Sequence, residues 1–270
     1  MKTHDPEINH MSEQLVGLED CGNYACITLN RPDRQNAMNH AAQLQLQEIL
    51  RQCTGRYAAV VLTGAGSSFC AGIGPDEAAD GSAKTPEYSR QGHMWSETIE
   101  MIRKHPSVFI AAVNGDASSD GVSLINVCDL AVANEDAGMS LPEISRASYP
   151  TIAGPSTQLR ILRKHASWMI LTGKRIDGRT AARWGLVNIA VPAARVMEEA
   201  RMVAENIAKF NPVTVDWSKK AIDDIPAHVA DWTTALEYGR LITAVIQNQI
   251  GKENFMPKKL EGPYYDLQPK

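Results

Sequence analysis

Between Phe109 and Glu143 the sequence gathers the groups that acid/base chemistry on a carbonyl compound needs. Asp116-Ala117-Ser118-Ser119-Asp120-Gly121 is a run of small and acidic residues feeding directly into Val122-Ser123-Leu124-Ile125-Asn126-Val127, which can begin a helix. A small-residue loop entering a helix leaves backbone N–H groups unpaired and aimed at one point, where the helix dipole favours negative charge. Such a turn can hold an oxyanion. Downstream, Leu141-Pro142-Glu143 places a carboxylate, a group able to take and return a proton, on the next connection. The plainer reading of that Pro-Glu pair is a helix start, which proline and an early acidic residue both favour.

These groups need rigid elements to hold them, and the chain alternates strand and helix signals. Phe109-Ile110-Ala111-Ala112-Val113 is a short apolar run of the kind that makes a buried strand, stopped by Asn114-Gly115, and Leu130-Ala131-Val132-Ala133 is a second. Upstream, Tyr24 to Leu29 and Ala58 to Leu62 read as strands. Asn36 or Asn39 caps a helix running to about Cys53, with Leu44, Ile49 and Leu50 apolar and its glutamines expected to face water. Gly64 and Gly66 supply two glycines of a dinucleotide cradle, but Phe69 stands where the third belongs, so that reading is incomplete. Pro75 to Ser89 is acidic, small and proline-containing, and is expected to be mobile. Residues Tyr88 to His105 fit a helix closed by Pro106, with Trp95, Ile99 and Ile102 on one face as core or pocket wall. Beyond Glu143, helices are expected near Thr157 to Leu171, Arg179 to Trp184 and Ala193 to Lys209. Two more follow Pro212, the second striped by Leu236, Leu241, Ile242, Val245, Ile246 and Ile250.

Composition narrows the class. A chain of 270 residues with 44% hydrophobic content can bury a sizeable core. Its net charge of −4 argues against a nucleic-acid surface. Five scattered cysteines indicate reduced thiols and a cytoplasmic protein rather than a disulfide framework, and neither a CxxC pair nor HExxH supports a metal site. No apolar run approaches the ~18 residues of a membrane span, and Met1 to Ser12 is polar and reads as a flexible terminus.

Ala112-Val113-Asn114-Gly115, the small-residue turn, Cys128-Asp129-Leu130-Ala131-Val132-Ala133 and Leu141-Pro142-Glu143-Ile144 together resemble the crotonase (enoyl-CoA hydratase/isomerase) superfamily. Other segments fit in order: Ile27 to Pro32 with Asn36-Ala37-Met38, Val61 to Gly64 with Ser68-Phe69-Cys70-Ala71-Gly72, and Leu171-Thr172-Gly173 with Ala181 to Val187. The resemblance spans roughly Val16 to Ile222. It implies an α/β fold, a spiral of repeated β-β-α turns over residues 13–200, and a C-terminal helical region over residues 201–270 that builds a homotrimer or a dimer of trimers. No repeat is legible in the sequence itself. From Ser148 to Gln158 the chain runs two residues longer than the family pattern, which would reshape the pocket rim.

The resemblance also assigns roles. The substrate is an acyl-CoA thioester, coenzyme A arriving as part of it, with no permanently bound cofactor. The backbone amides of Ile73 and Asp120 form the oxyanion hole, Asp120 standing where the family has glycine. Hydratases of this family use two glutamates; Glu143 matches one, and Ser123, twenty residues earlier, occupies the position of the other. A serine of ordinary pKa can position water or substrate but cannot act as a carboxylate base. A lone glutamate suits proton shuttling between two carbons, as in enoyl-CoA isomerases. The same Ser and Glu pairing is similar to hydroxycinnamoyl-CoA hydratase-lyases, for which Tyr238 is the candidate C-terminal tyrosine. Arg34, Ala37 and Ala71 transfer as coenzyme A contacts, with Phe255 and Lys258 from a neighbouring subunit; Trp95 belongs to the pocket wall. Two readings compete: a CoA-independent β-diketone hydrolase on the same fold, disfavoured because none of the seven histidines falls in the turn or beside Glu143, and a catalytically dead scaffold.

Overall fold

In a computed structural model, the described residues are 14–74, 90–229 and 231–251. Met1 to Ser12, expected to be flexible, Pro75 to Ser89, expected to be mobile, and Phe255 and Lys258 lie outside them.

Two sheets organise the core. The large one takes β1 (Val16–Asp20), β2 (Tyr24–Leu29), β3 (Ala59–Gly64), β5 (Val108–Val113), β7 (Leu130–Asn134) and β9 (Ile189–Val191), in that spatial order. Only β1 and β2 are antiparallel; every later pairing is parallel. Parallel strands covered on both faces read as continuous apolar runs, and β3 and β5 are buried along nearly their whole length. A small second sheet pairs β4 (Ser68–Cys70), β6 (Asp116–Ser118) and β8 (Met139–Ser140) in parallel. The repeat is therefore a structural one. A strand of the large sheet leads to a strand of the small sheet and then to a helix, as in β3, β4, α2 (Arg90–Lys104) and β5, β6, α3 (Asp120–Val127). Three of these short strands, β6, β8 and β9, carry too few residues for periodicity to announce them.

The helix α1 (His40–Cys53) starts at Asn39, whose side chain accepts from the Ala42 amide at 3.0 Å. Asn36 instead folds inward, its Nδ2 donating to the carbonyls of Ala65 and Ser68. The expectation that the α1 glutamines face water is wrong for two of them. Gln43 and Gln47 are buried, and Gln47 Nε2 donates to Thr98 Oγ1 at 3.0 Å and to the Met94 carbonyl, joining α1 to α2, while Leu44 is exposed. A hydrogen-bonded amide such as that of Gln47 is admissible between packed helices, so the apolar count alone picked the wrong edge of the stripe.

In α2, Trp95 and Ile102 are fully buried and Ile99 packs against the core. The single helix expected from Thr157 to Leu171 is two, α4 (Ala153–Gln158) and α5 (Arg163–Thr172), separated by a turn at Leu159 and Arg160. Next come α6 (Gly178–Trp184), whose Asp177 caps the Thr180 amide, and α7 (Val196–Ala208), preceded by a 3-10 turn at Ala193–Arg195. The last helices are α8 (Pro212–His228) and α9 (Trp232–Ile250). Buried Lys219 fastens α8 to the core: its Nζ meets Asp129 Oδ2 at 2.9 Å and donates to the Ser107 carbonyl, while Asp129 accepts the Phe109 amide that opens β5. On α9 only Ile242 and Ile246 of the expected stripe are buried, and Leu236 and Leu241 are exposed. Among the described residues no helix is long and apolar enough to cross a membrane.

Candidate active site

One half of the site is built by main chain. Two loops, 31–38 and 70–74, are laced together: the Ala71 amide donates to the Gln35 carbonyl, Met38 N to Gly72 O at 2.8 Å, and Gly74 N to Met38 O. Arg31 Nη1 closes the first loop on the Ala37 carbonyl at 2.6 Å. Arg34, Ala37 and Ala71 are thereby brought to one edge, with Arg34 exposed.

Gly72 has φ +91°, which favours glycine, and a Cβ placed on it would lie 2.9 Å from the Asp120 nitrogen. Gly121 is tighter still; a Cβ there would stand 2.0 Å from the Cys70 carbonyl oxygen. These two positions let the loop after β4 and the N-terminus of α3 approach until the Asp120 amide lies against Gly72, the residue before Ile73. Among the described residues neither amide has a protein acceptor: Met38 takes up the groups on either side of Ile73, and Asp120 opens its helix.

The acid half is built by side chains. Glu143 lies on a 3-10 turn, Pro142–Arg146, with only 4% of its surface exposed. Ser119 Oγ donates to Glu143 Oε1, whereas the buried Oε2 has no hydrogen-bond partner among the described residues. Ser119 sits at φ +55°, ψ −129°, where a non-glycine residue is strained, and its amide donates to the Ser140 carbonyl. It occupies the N-cap position of α3 without capping it, because its hydroxyl is turned to Glu143. Sequence reading missed this residue. The available signal was a serine inside a turn so tight that glycine would be expected.

The structure places Ser123 differently from its assigned role. Its side chain is fully buried, donating to the Asp120 carbonyl at 2.5 Å and accepting from Trp95 Nε1 at 3.0 Å. The hydroxyl proton is thus engaged inside the protein, and Trp95 ties α2 to α3. Asp120 brings a second carboxyl group toward Glu143. Its pKa is raised to about 6, first by burial and then by the Glu143 charge, opposed by the Ala153 amide and by Arg146. Cys70 is no nucleophile, since burial pushes its thiol up to about 12.

Other expected residues lie elsewhere. Tyr238 Oη donates to Asp224 Oδ2 of α8 at 2.7 Å, so the tyrosine serves the α8–α9 pairing. His105 is held by Thr54 and the Leu50 carbonyl, and His165 stacks on Trp184. Among the described residues one group, Glu19, Cys21 and Cys26, has metal-ligand spacing, and Glu19 already pairs with Arg201 at 2.7 Å.

Known proteins with this architecture can now be compared. The family model for enoyl-CoA hydratase/isomerase matches residues 20–251. A 2,3-dehydroadipyl-CoA hydratase of Escherichia coli (strain K12) is 32% identical over 215 residues, covering 78% of this chain and 82% of the relative. A hydroxycinnamoyl-CoA hydratase-lyase of Pseudomonas fluorescens is 31% identical over 212 residues, covering 76% and 75%. The crystal structure of an enoyl-CoA hydratase from Bacillus anthracis superposes with a TM-score of 0.80 at 30% identity, covering 92% of this chain and 99% of that one. The chain belongs to the enoyl-CoA hydratase/isomerase family of the crotonase superfamily, whose members act on acyl-CoA thioesters.

Proposed function

We propose that this protein acts on an enoyl-CoA thioester, holding the carbonyl oxygen between the Ile73 and Asp120 amides and moving protons with Glu143. Removal of an α-proton, or attack on a conjugated double bond, puts negative charge on that oxygen. Two fixed N–H donors at a low-dielectric site meet the charge without reorganising. The observation carrying this reading is a buried carboxylate with one oxygen fixed by Ser119 and the other unpartnered, beside two amides that no protein acceptor uses.

Arg34, Ala37 and Ala71 line the coenzyme A edge, and Phe255 and Lys258 of a neighbouring copy are proposed for its nucleotide end. Exposed Ile222, Trp232, Leu236 and Leu241 on α8 and α9 support assembly as a trimer or a pair of trimers. The coenzyme is proposed as part of the substrate rather than as a resident group. For the lyase reading Tyr238 would have to leave Asp224, which ranks it below the hydratase/isomerase reading.

The test is turnover of 2-enoyl, 3-enoyl and cinnamoyl thioesters, with a CoA-free cyclic diketone alongside. Activity on an enoyl thioester that falls about a thousandfold in Glu143→Gln supports the proposal. Activity on the diketone alone, or an undiminished Glu143→Gln variant, sinks it.

A further inference from the structure

The position where family hydratases carry their second glutamate is filled by Ser123, yet a carboxyl group stands one helical turn earlier, at a residue where only the main chain had a role. We infer that the side chain of Asp120 is a second proton carrier working with Glu143, so that the site adds water across the double bond of a 2-enoyl thioester. The inference rests on the reading of Glu143 given above.

Three observations bring Asp120 and Glu143 to the same end of α3. Ser119, bonded through Oγ to Glu143 Oε1, directly precedes Asp120, so the strained turn fixes one acid while presenting the next. Glu143 Oε2 is buried without a partner among the described residues, leaving one oxygen of the base for water or a shared proton. Ser123 draws the Asp120 carbonyl into α3 and is itself held by Trp95, which anchors Asp120 from behind.

The charges acting on the Asp120 carboxyl are Glu143 and Arg146, both from the Pro142–Arg146 turn. Around them α4 contributes the neutral Ala153 amide, β4 the protonated Cys70 thiol and α2 the neutral Trp95 indole. The helix dipole and one amide favour the anion, but burial and the neighbouring carboxylate outweigh them and raise its pKa to about 6. Repulsion from the neighbouring Glu143 adds to burial in favouring the protonated form of Asp120, the form that an acid role requires.

The step balances as follows. Water loses a proton to the Glu143 carboxylate while its oxygen bonds to Cβ. The π pair of the double bond moves to the thioester oxygen, which the Ile73 and Asp120 amides hold. As the pair returns, the Asp120 carboxylic acid gives its proton to Cα, completing the 3-hydroxyacyl thioester. Glu143 then carries one proton more and Asp120 one fewer, and proton exchange of both groups with solvent restores the starting state.

Asp120→Asn keeps the amide and the shape but removes the acid, and Asp120→Gly keeps only the amide. Hydration of a short 2-enoyl thioester is measured from pH 5 to 9, with butyryl-CoA binding by calorimetry and Glu143→Gln as the reference. The expected result is a fall in kcat of about a hundredfold in both Asp120 variants. KM and butyryl-CoA affinity stay within about threefold, the limb of the parent profile near pH 6 disappears, and Asp120→Glu regains part of the rate. Asp120 variants that hydrate at the parent rate with the parent pH profile overturn the inference, as does a faster glycine variant, which would make the carboxyl an obstacle to the enolate. If Glu143→Gln is also undiminished, the underlying reading fails with it; if only the Asp120 variants are, Glu143 keeps its place.

Discussion

The two halves of the pocket are made of different material. Around Gly72 the work is done by peptide groups, laced by Ala71 to Gln35, Met38 to Gly72 and Gly74 to Met38. Around Glu143 it is done by the side chains of Ser119, Asp120 and Arg146. Peptide donors survive side-chain replacement, which is why an aspartate can stand at position 120 and still offer its N–H. Proton carriers have no such tolerance, and it is on their side that residue types depart from the family pattern. A fold can therefore keep its main-chain donors while its proton-carrying side chains change.

That contrast can be broken from the peptide side first. Gly121→Ala should push β4 and α3 apart, because the new Cβ has no room beside the Cys70 carbonyl. We expect kcat/KM to fall about a hundredfold through loss of one oxyanion donor, with butyryl-CoA affinity reduced as well. An alanine variant of parental activity would show that the close approach is not needed.

On the side-chain half, Ser119→Gly suits φ +55° but releases Glu143. Relief of backbone strain and loss of a hydrogen bond to a carboxylate should nearly cancel, leaving stability within about 1 kcal/mol while kcat drops about tenfold. Chemical denaturation and steady-state kinetics on one preparation separate the two effects.

The raised pKa of Asp120 sets a pH dependence of stability. In the unfolded chain the group titrates near 3.8 and in the fold at about 6, so the folded state holds its proton more tightly and loses stability as pH rises through that window. Asp120→Asn removes this loss, at most about 3 kcal/mol. Its melting temperature should gain on the parent between pH 4 and 6 and keep a constant lead above. A lead that does not vary with pH would contradict the shift.

Ser123→Ala should do least to the chemistry. With the hydroxyl confined between Trp95 and the Asp120 carbonyl, kcat should stay within about threefold while stability falls by about 1 to 2 kcal/mol as the indole N–H loses its acceptor. A large loss of kcat with unchanged stability would return Ser123 to the reacting centre.

How much of this could be read from the sequence follows the same division. The strands of the large sheet announce themselves as apolar runs, and the turn before α3 shows its small residues. Glu143 follows a proline that fixes where its turn begins. What stayed hidden are contacts between distant segments. Nothing local says that Gln47 faces Thr98, that Trp95 reaches Ser123, or that Ser119 turns away from its own helix toward a residue 24 positions on. The break between α4 and α5 was missed because Leu159 and Leu162 continue an apolar pattern, although both are exposed. Asp120 was visible as a departure from glycine, but its effect on proton affinity depends on the burial and the neighbouring carboxylate that only the fold supplies.

Glu143 is assigned a proton transfer without which the enoyl thioester cannot react. Turnover of a 2-enoyl thioester in deuterium oxide, followed by mass spectrometry of the product, reads that step directly. The parent should place one solvent deuteron at Cα. Glu143→Gln should bind butyryl-CoA within about threefold of the parent while its incorporation falls about a thousandfold. Incorporation at the parental rate with glutamine at position 143 would contradict the account.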